Sequence, residues 1–208
     1  GRYVQLGRFA LTNVGASASC MKKEIEKRKP EGLLDHLSLA VTTFGVGYLP
    51  IAPGTWGSMV GVGIYFAVTH LVESFALAFR SNISEFGWNP FLSWVHSIVL
   101  VTFLLFTLLG IWAAGRSTEL FGDLDPSQAV VDEVIGQLIV FVFVPFGIGW
   151  PFVLAGFLLF RLFDIWKPFP IDSLQALPGG IGVCADDILA GVYAGICLSI
   201  IYAVSLSI

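Results

Sequence analysis

Charged residues are scarce in this 208-residue chain: 12% are Asp, Glu, Lys or Arg, against about 25% in an ordinary soluble domain. Hydrophobic residues make up 56%, with 18 Phe and 6 Trp among them. One soluble core cannot cover so much apolar surface, which predicts an integral membrane protein. Cysteine is also scarce. The three at positions 20, 184 and 197 form no CxxC pair, which argues against a disulfide framework or a zinc site and leaves small inert residues. His36, His70 and His96 lie outside every motif described below, so the pattern offers no histidine nucleophile. Of eleven Lys and Arg residues, five crowd into Lys22, Lys23, Lys27, Arg28 and Lys29, and the last forty residues hold none. A nucleic-acid binder needs a basic face, and one short cluster does not make one. Residues 1–20 lack the sustained apolar core of a secretion signal. Ser17-Ala18-Ser19-Cys20 lacks the aliphatic residue of a lipoprotein site, and Met21, opening the basic run, reads as the natural start.

What the chain has in quantity is apolar run. Residues 21–36 read as an exposed polar helix ending near Pro30 or Gly32, and 38–58 as a loop dense in Gly and Pro. Apolar segments follow at about 57–79, 91–114, 134–146, 151–163 and 186–206. Three reach the ~20 residues needed to span hydrocarbon; the middle two do not. They make sense as a hairpin around Pro145, Gly147, Gly149 and Pro151. Asp125 as N-cap and Pro126 at the first position predict a first arm running to about Val144. The second arm runs from Trp150 through Lys167, stopped by Pro168. The expected fold is an all-α membrane bundle of about five crossings with Gly-rich cytoplasmic loops. Residues 1–37 form a polar extension with a short helix, and 38–208 the membrane domain. With the N-terminus inside, Arg80 is the one basic residue left outside while the other ten face the cytoplasm, as the positive-inside rule asks.

That topology gathers three polar segments at one face. Pro53-Gly54-Thr55-Trp56-Gly57-Ser58 stands just before a helix, where glycine N–H groups and the helix N-terminus suit an anion and Thr55 and Ser58 add hydroxyls; a plain helix-entry turn capped by Ser58 is the simpler alternative. In DPSQAVVDEVIGQ, Asp132 and Glu133 lie two turns into a helix entering the membrane, where ionised carboxylates are costly. The third segment, RLFDIWKPFPIDSLQALPGGIGVCADD, sets Arg161, Asp164 and Lys167 on a charged helical arc. Gly179, Gly180 and Gly182 then form a loop, and Asp186 and Asp187 open the last helix, where acids also suit the dipole.

Carboxylates, Gly-rich loops, Arg and Lys at one interface suit Mg²⁺ and a phosphate-bearing headgroup, the equipment of metal-assisted phosphoryl chemistry. Other phosphatase signatures are missing. Ala190 stands where a cysteine phosphatase loop starting at Cys184 needs Arg. Asp123-Leu124-Asp125-Pro126 imitates an aspartyl-phosphate motif, but no buried strand precedes it. A small transporter would also use intramembrane acids and broken helices. Against it, the polar segments gather at one interface and no internal repeat is visible.

The same segments resemble the phosphatidylglycerophosphatase A family. FGVGYLPIAPGTWGS is similar to its Gly-rich first motif, DPSQAVVDEVIGQ to its second, and FRLFDIWKPFPI and GGIGVCADDILAG to its third and fourth, in family order across about residues 43–200. The resemblance implies a magnesium-dependent enzyme that hydrolyses phosphatidylglycerophosphate to phosphatidylglycerol and phosphate, facing the cytoplasm from a bacterial inner membrane. Carried over by position, Asp132, Glu133, Asp164 and Asp187 are the expected catalytic residues, and Asp132, Glu133, Asp186 and Asp187 the expected metal ligands. Gly54, Thr55, Gly57, Ser58, Arg161, Lys167 and Gly180 are expected at the substrate phosphate. Activated water and a carboxylate nucleophile both fit these residues, and another lipid or isoprenoid phosphate is the competing substrate. Cys184-Ala185 and Asp172 depart from the family pattern.

Overall fold

The computed structural model describes residues 27–79, 87–123, 126–175 and 177–207. Every regular element among them is helical: α1 (Leu33–Thr43), a 3-10 turn (Val46–Tyr48), α2 (Pro53–Ala78), α3 (Trp88–Phe121), α4 (Val131–Val142), α5 (Trp150–Trp166), α6 (Ile171–Leu174) and α7 (Gly179–Ser205). The elements end where the chain supplies stop signals. Proline opens α2 and stands in the first turn of α5, where its missing N–H has no partner to lose. Gly122, with φ +74, closes α3 by returning its N–H to the Thr118 carbonyl at 2.9 Å. Lys167, at φ +46, closes α5 just before Pro168.

Three helices, α2, α3 and α7, are long and apolar enough to cross a membrane. At 1.5 Å per residue each exceeds the ~30 Å hydrocarbon core. Their outward faces show Leu104, Leu105 and Leu108 on α3 and Ile200 on α7, all more than half exposed, as expected of lipid-facing side chains. The hairpin arms are shorter, 12 residues in α4 and 17 in α5. Of the five expected crossings, length and composition therefore support three, and α4, about 18 Å long, is the centre of the molecule and not a lipid-facing span. Nine of its residues are buried, and it packs on α2, α3, α5 and α7.

Glycine makes that packing close. On α2, a Cβ at Gly57 would lie 2.9 Å from Val130 Cβ, and one at Gly61 would lie 2.8 Å from Gln137 Cβ. Gly180 of α7 meets the Ile111 carbonyl and Gly115 of α3, and Gly191 of α7 meets the Gly136 carbonyl of α4. Gly57–Gly61 and Gly191–Gly195 each have the small-xxx-small spacing that lets membrane helices approach backbone to backbone. Away from these contacts Tyr65 stacks on Phe141 with ring centroids 4.3 Å apart.

Four boundaries differ from the sequence expectation. Of the helix expected over 21–36, residues 21–26 lie outside the described residues and 27–32 are not helical; the helix here is Leu33–Thr43. The Pro53–Ser58 motif lies inside α2, and Gly179–Gly182 inside α7; Gly57 and Gly180 serve close helix contact, and neither segment is a loop. The first hairpin arm starts at Val131. Pro126–Gln128 instead makes a turn, with Ala129 N–H donating to the Pro126 carbonyl at 2.8 Å, and Val130 N–H donates to the Thr42 carbonyl of α1 at 2.9 Å. That tertiary bond takes the donor which a longer helix would have used. Asp125, the expected cap, and Arg80 lie outside the described residues.

Candidate active site

The late helix start moves Asp132 and Glu133 into the first turn of α4, at the end of the bundle that also holds the start of α2 and the last turns of α5. The earlier start of α7 has the opposite effect on Asp186 and Asp187. They stand in its third turn, inside the bundle, so the helix dipole does not account for them. Adjacent helical residues diverge by about 100°, and the two acids separate accordingly.

Asp187 turns toward α4. Asp132, Glu133 and Asp187 can each offer a carboxylate oxygen such that all three lie within 4.8 Å of one another. Asp164 of α5 is a carboxyl neighbour of Asp187 and also acts on Glu133. Asp186 turns toward the end of α5. Its Oδ2 accepts from Lys167 Nζ at 2.6 Å and from Gln175 Nε2 at 2.9 Å. Arg161 Nη1 pairs with Asp164 Oδ2 at 2.6 Å. Gly54 roofs this arrangement: a Cβ there would collide with Glu133 Oε1 and stand 3.2 Å from Arg161 Nη1.

The chemistry of the set fits a small divalent cation. Asp132, Asp186 and Asp187 are only 8%, 5% and 4% exposed. Asp132 Oδ1 and Glu133 Oε2 are buried without a protein partner. Burying carboxylate oxygens unpaired costs several kcal/mol in an apolar surround, and hard oxygens gathered this closely are what Mg²⁺ takes. The two nearby cations are already engaged, Arg161 with Asp164 and Lys167 with Asp186.

The structure therefore brings together Asp132, Glu133, Asp164, Asp187, Arg161 and Gly54, with Lys167 and Asp186 alongside. Thr55 is half-buried at the start of α2. Ser58 is buried and donates its hydroxyl to the Gly54 carbonyl at 3.0 Å. Gly57 packs on Val130 and the Glu133 stem, and Gly180 faces α3 and not the carboxylates. Sequence reading passed over two residues here. Gln175 holds Asp186. Gln137, fully buried with neither amide atom partnered, lies one turn below Glu133; a lone amide in an apolar run is itself the signal that could have flagged it.

Two hollows adjoin the bundle. One, about 390 Å³, is apolar, lined by residues such as Tyr65, Phe103, Leu138 and Phe141, and no carboxylate reaches it. The other, about 380 Å³, opens among Gly47, Tyr48, Pro53 and Gln128, next to Gly54.

Comparison with known proteins follows the same residues. The family model described as Phosphatidylglycerophosphatase A matches residues 39–202. A Bacteroides thetaiotaomicron protein named "Putative phosphatidylinositol-3-phosphatase" is 38% identical over 76% of this chain and 89% of its own length. Proteins named phosphatidylglycerophosphatase A from Haemophilus influenzae and Escherichia coli are 34% and 32% identical, over 80% and 74% of this chain and 88% and 76% of theirs. No solved structure matches it. The match holds all the clustered carboxylates, and the chain belongs to the phosphatidylglycerophosphatase A family.

Proposed function

We propose that the chain is a phosphoric monoester hydrolase of the membrane that converts phosphatidylglycerophosphate to phosphatidylglycerol and phosphate. One observation carries the reading: Asp132, Glu133 and Asp187 converge within 4.8 Å in a chain whose relatives are named for that activity. Mg²⁺ is the proposed cofactor, with Asp132, Glu133 and Asp187 as its holders and Asp186 next to them. When bound, it supplies charge neutralisation at the phosphoryl oxygens.

The chain's own residues do the rest. Arg161, paired through one nitrogen to Asp164, has further N–H donors for phosphate oxygens. Lys167 and Gln175 fix Asp186, which places a second positive charge beside the acids. The absent side chain at Gly54 leaves Glu133 and Arg161 room beside the hollow at Pro53, where a headgroup can enter. Transfer of the terminal phosphoryl group to water forms a bond from phosphorus to the water oxygen and breaks the one to the headgroup glycerol oxygen, which takes up one of the water's protons. The lipid anchor keeps the diacylglycerol end in the bilayer.

The basic residues support a cytoplasmic site in a bacterial inner membrane. Arg28 and Arg116 meet at Asp35, at the same end of the bundle as Arg161 and Lys167, consistent with the positive-inside rule. The Bacteroides relative's name favours one second reading, a phosphoinositide 3-phosphate as substrate. Both readings share a glycerophospholipid phosphomonoester. The test is phosphate release by purified protein in vesicles from phosphatidylglycerophosphate, phosphatidylinositol 3-phosphate and an isoprenoid phosphate, each with Mg²⁺ and with a chelator. Fastest turnover of the first, lost with the chelator, supports the proposal. Preference for either other lipid reassigns the substrate, and release of none while a solute is carried across the bilayer removes the enzyme reading.

A further inference from the structure

α1 is built inside out. Its buried side carries Asp35, Ser38, Thr42 and Thr43, whereas Leu33, Leu34 and Leu37 point outward at 74%, 55% and 46% exposure. A helix facing water shows the opposite pattern. Apart from the Thr42 hydroxyl, which is buried without a protein partner, the polar side is satisfied internally: Ser38 Oγ donates to the Asp35 carbonyl at 2.9 Å and Thr43 Oγ1 accepts from Gly45 N–H at 3.2 Å. Asp35, fully covered, accepts from Arg28 Nη1 at 2.7 Å and Nη2 at 3.0 Å, from Glu31 N–H at 2.7 Å, and from Arg116 Nε of α3 at 2.6 Å. The Arg28 guanidinium and the Glu31 N–H hold its carboxyl well below the usual carboxylate range.

The neighbours say what covers the outer side. Asp35 meets Arg116 and Phe44 meets Phe106, ring centroids 6.2 Å apart, so α1 lies antiparallel along the Phe106–Arg116 stretch of α3. That stretch belongs to a helix long and apolar enough to cross a membrane, and its Leu108, Leu109 and Trp112 are exposed. With 11 residues, about 16 Å, α1 is too short to cross. Exposed Lys27 and Lys29 immediately precede it.

We propose that α1 is a membrane-inserted half-helix: Leu33, Leu34 and Leu37 face acyl chains, and Lys27 and Lys29 meet the phosphates of an anionic lipid surface. Asp35, Arg28 and Arg116 pin the helix to α3. Basic residues flanking a leucine-rich face are the pattern of interfacial helices, and each lysine gains from an anionic leaflet. This assignment stands independently of the catalytic reading.

The test is an environment-sensitive fluorophore on L37C, and separately on L33C, with Cys20, Cys184 and Cys197 replaced by Ala. The full chain is reconstituted in vesicles of phosphatidylcholine with one third phosphatidylglycerol. Acyl-brominated lipid should quench both labels, and aqueous iodide should quench them at least about threefold less than a free fluorophore, as for a group buried at the acyl boundary. Iodide access equal to the free dye with no bromine quenching, at both positions in monodisperse protein, would overturn the insertion. K27Q/K29Q should raise iodide access at Leu37 only in vesicles containing phosphatidylglycerol. The same effect in pure phosphatidylcholine, or none in either, would overturn the headgroup contact.

Discussion

Replacing Gly54 by Ala separates the site from the scaffold with one methyl group. Alanine in an exposed helix ordinarily stabilises by about 0.5–1 kcal/mol over glycine. At Gly63 of the same helix a Cβ meets nothing within 4 Å, so G63A should behave that way. At Gly54 the new Cβ lands on Glu133 Oε1 with Arg161 Nη1 3.2 Å away. A carboxylate at the end of a flexible stem can swing aside, so the fold survives, but Glu133 must retreat by about 1 Å, and a displacement of that size costs on the order of 100-fold in rate. Gly57 is different again. Its Cβ would stand 2.9 Å and 3.0 Å from Val130 Cβ and O, where the backbone cannot yield, so G57A should lose about 1–3 kcal/mol of stability. Phosphate release and thermal unfolding are measured on all three in detergent. The expected result is G63A unchanged in rate, G54A folded but slow, and G57A lowered in melting temperature. G54A turning over within about twofold of the parent would refute the placement of Glu133 in the active centre, because a 1 Å shift there would then be harmless.

Asp132→Asn should cut kcat by at least ~100-fold through loss of a charged metal-holding oxygen, whereas Asp123→Asn, a change in the aspartyl-phosphate look-alike, should leave phosphate release near normal. Excess EDTA should abolish turnover and added Mg²⁺ restore it; full activity in the chelator would exclude the metal. Asp35 adds a pH dependence. Because its carboxyl is held below the ordinary range, its contribution to stability is complete above the usual carboxylate pKa near ~4 and is lost as pH falls toward the lowered value. Melting temperature measured from neutral to acid pH should therefore fall less steeply in Asp35→Asn, from a lower starting point; parallel curves would contradict the clamp.

The helical class, the length of the three long helices and the polar face were legible because apolar run length and charge position are properties of the sequence itself. So were Asp132, Glu133, Arg161 and Asp187, whose charges stand out against apolar neighbours. The failures came from tertiary contacts. Pro126 looks like a helix start, yet Val130 gives its N–H to Thr42 across the bundle, and nothing near residue 126 announces that bond. Gly54, Gly57 and Gly180 read as loop-formers because glycine marks a turn or a close approach alike, and only the partners Glu133, Val130 and Ile111 distinguish the two. Asp35 escaped notice since its partners, Arg28 and Arg116, come from either side of it in the chain.

The central claim is that the convergence of Asp132, Glu133 and Asp187 is a lipid phosphatase centre. The most direct measurement is the rate of phosphate release from phosphatidylglycerophosphate by the reconstituted parent protein and by Asp187→Asn, a nearly isosteric change on α7. The account predicts Mg²⁺-dependent release by the parent and at least a ~100-fold lower kcat in the variant at unchanged folding. Parent-like turnover in Asp187→Asn would contradict it.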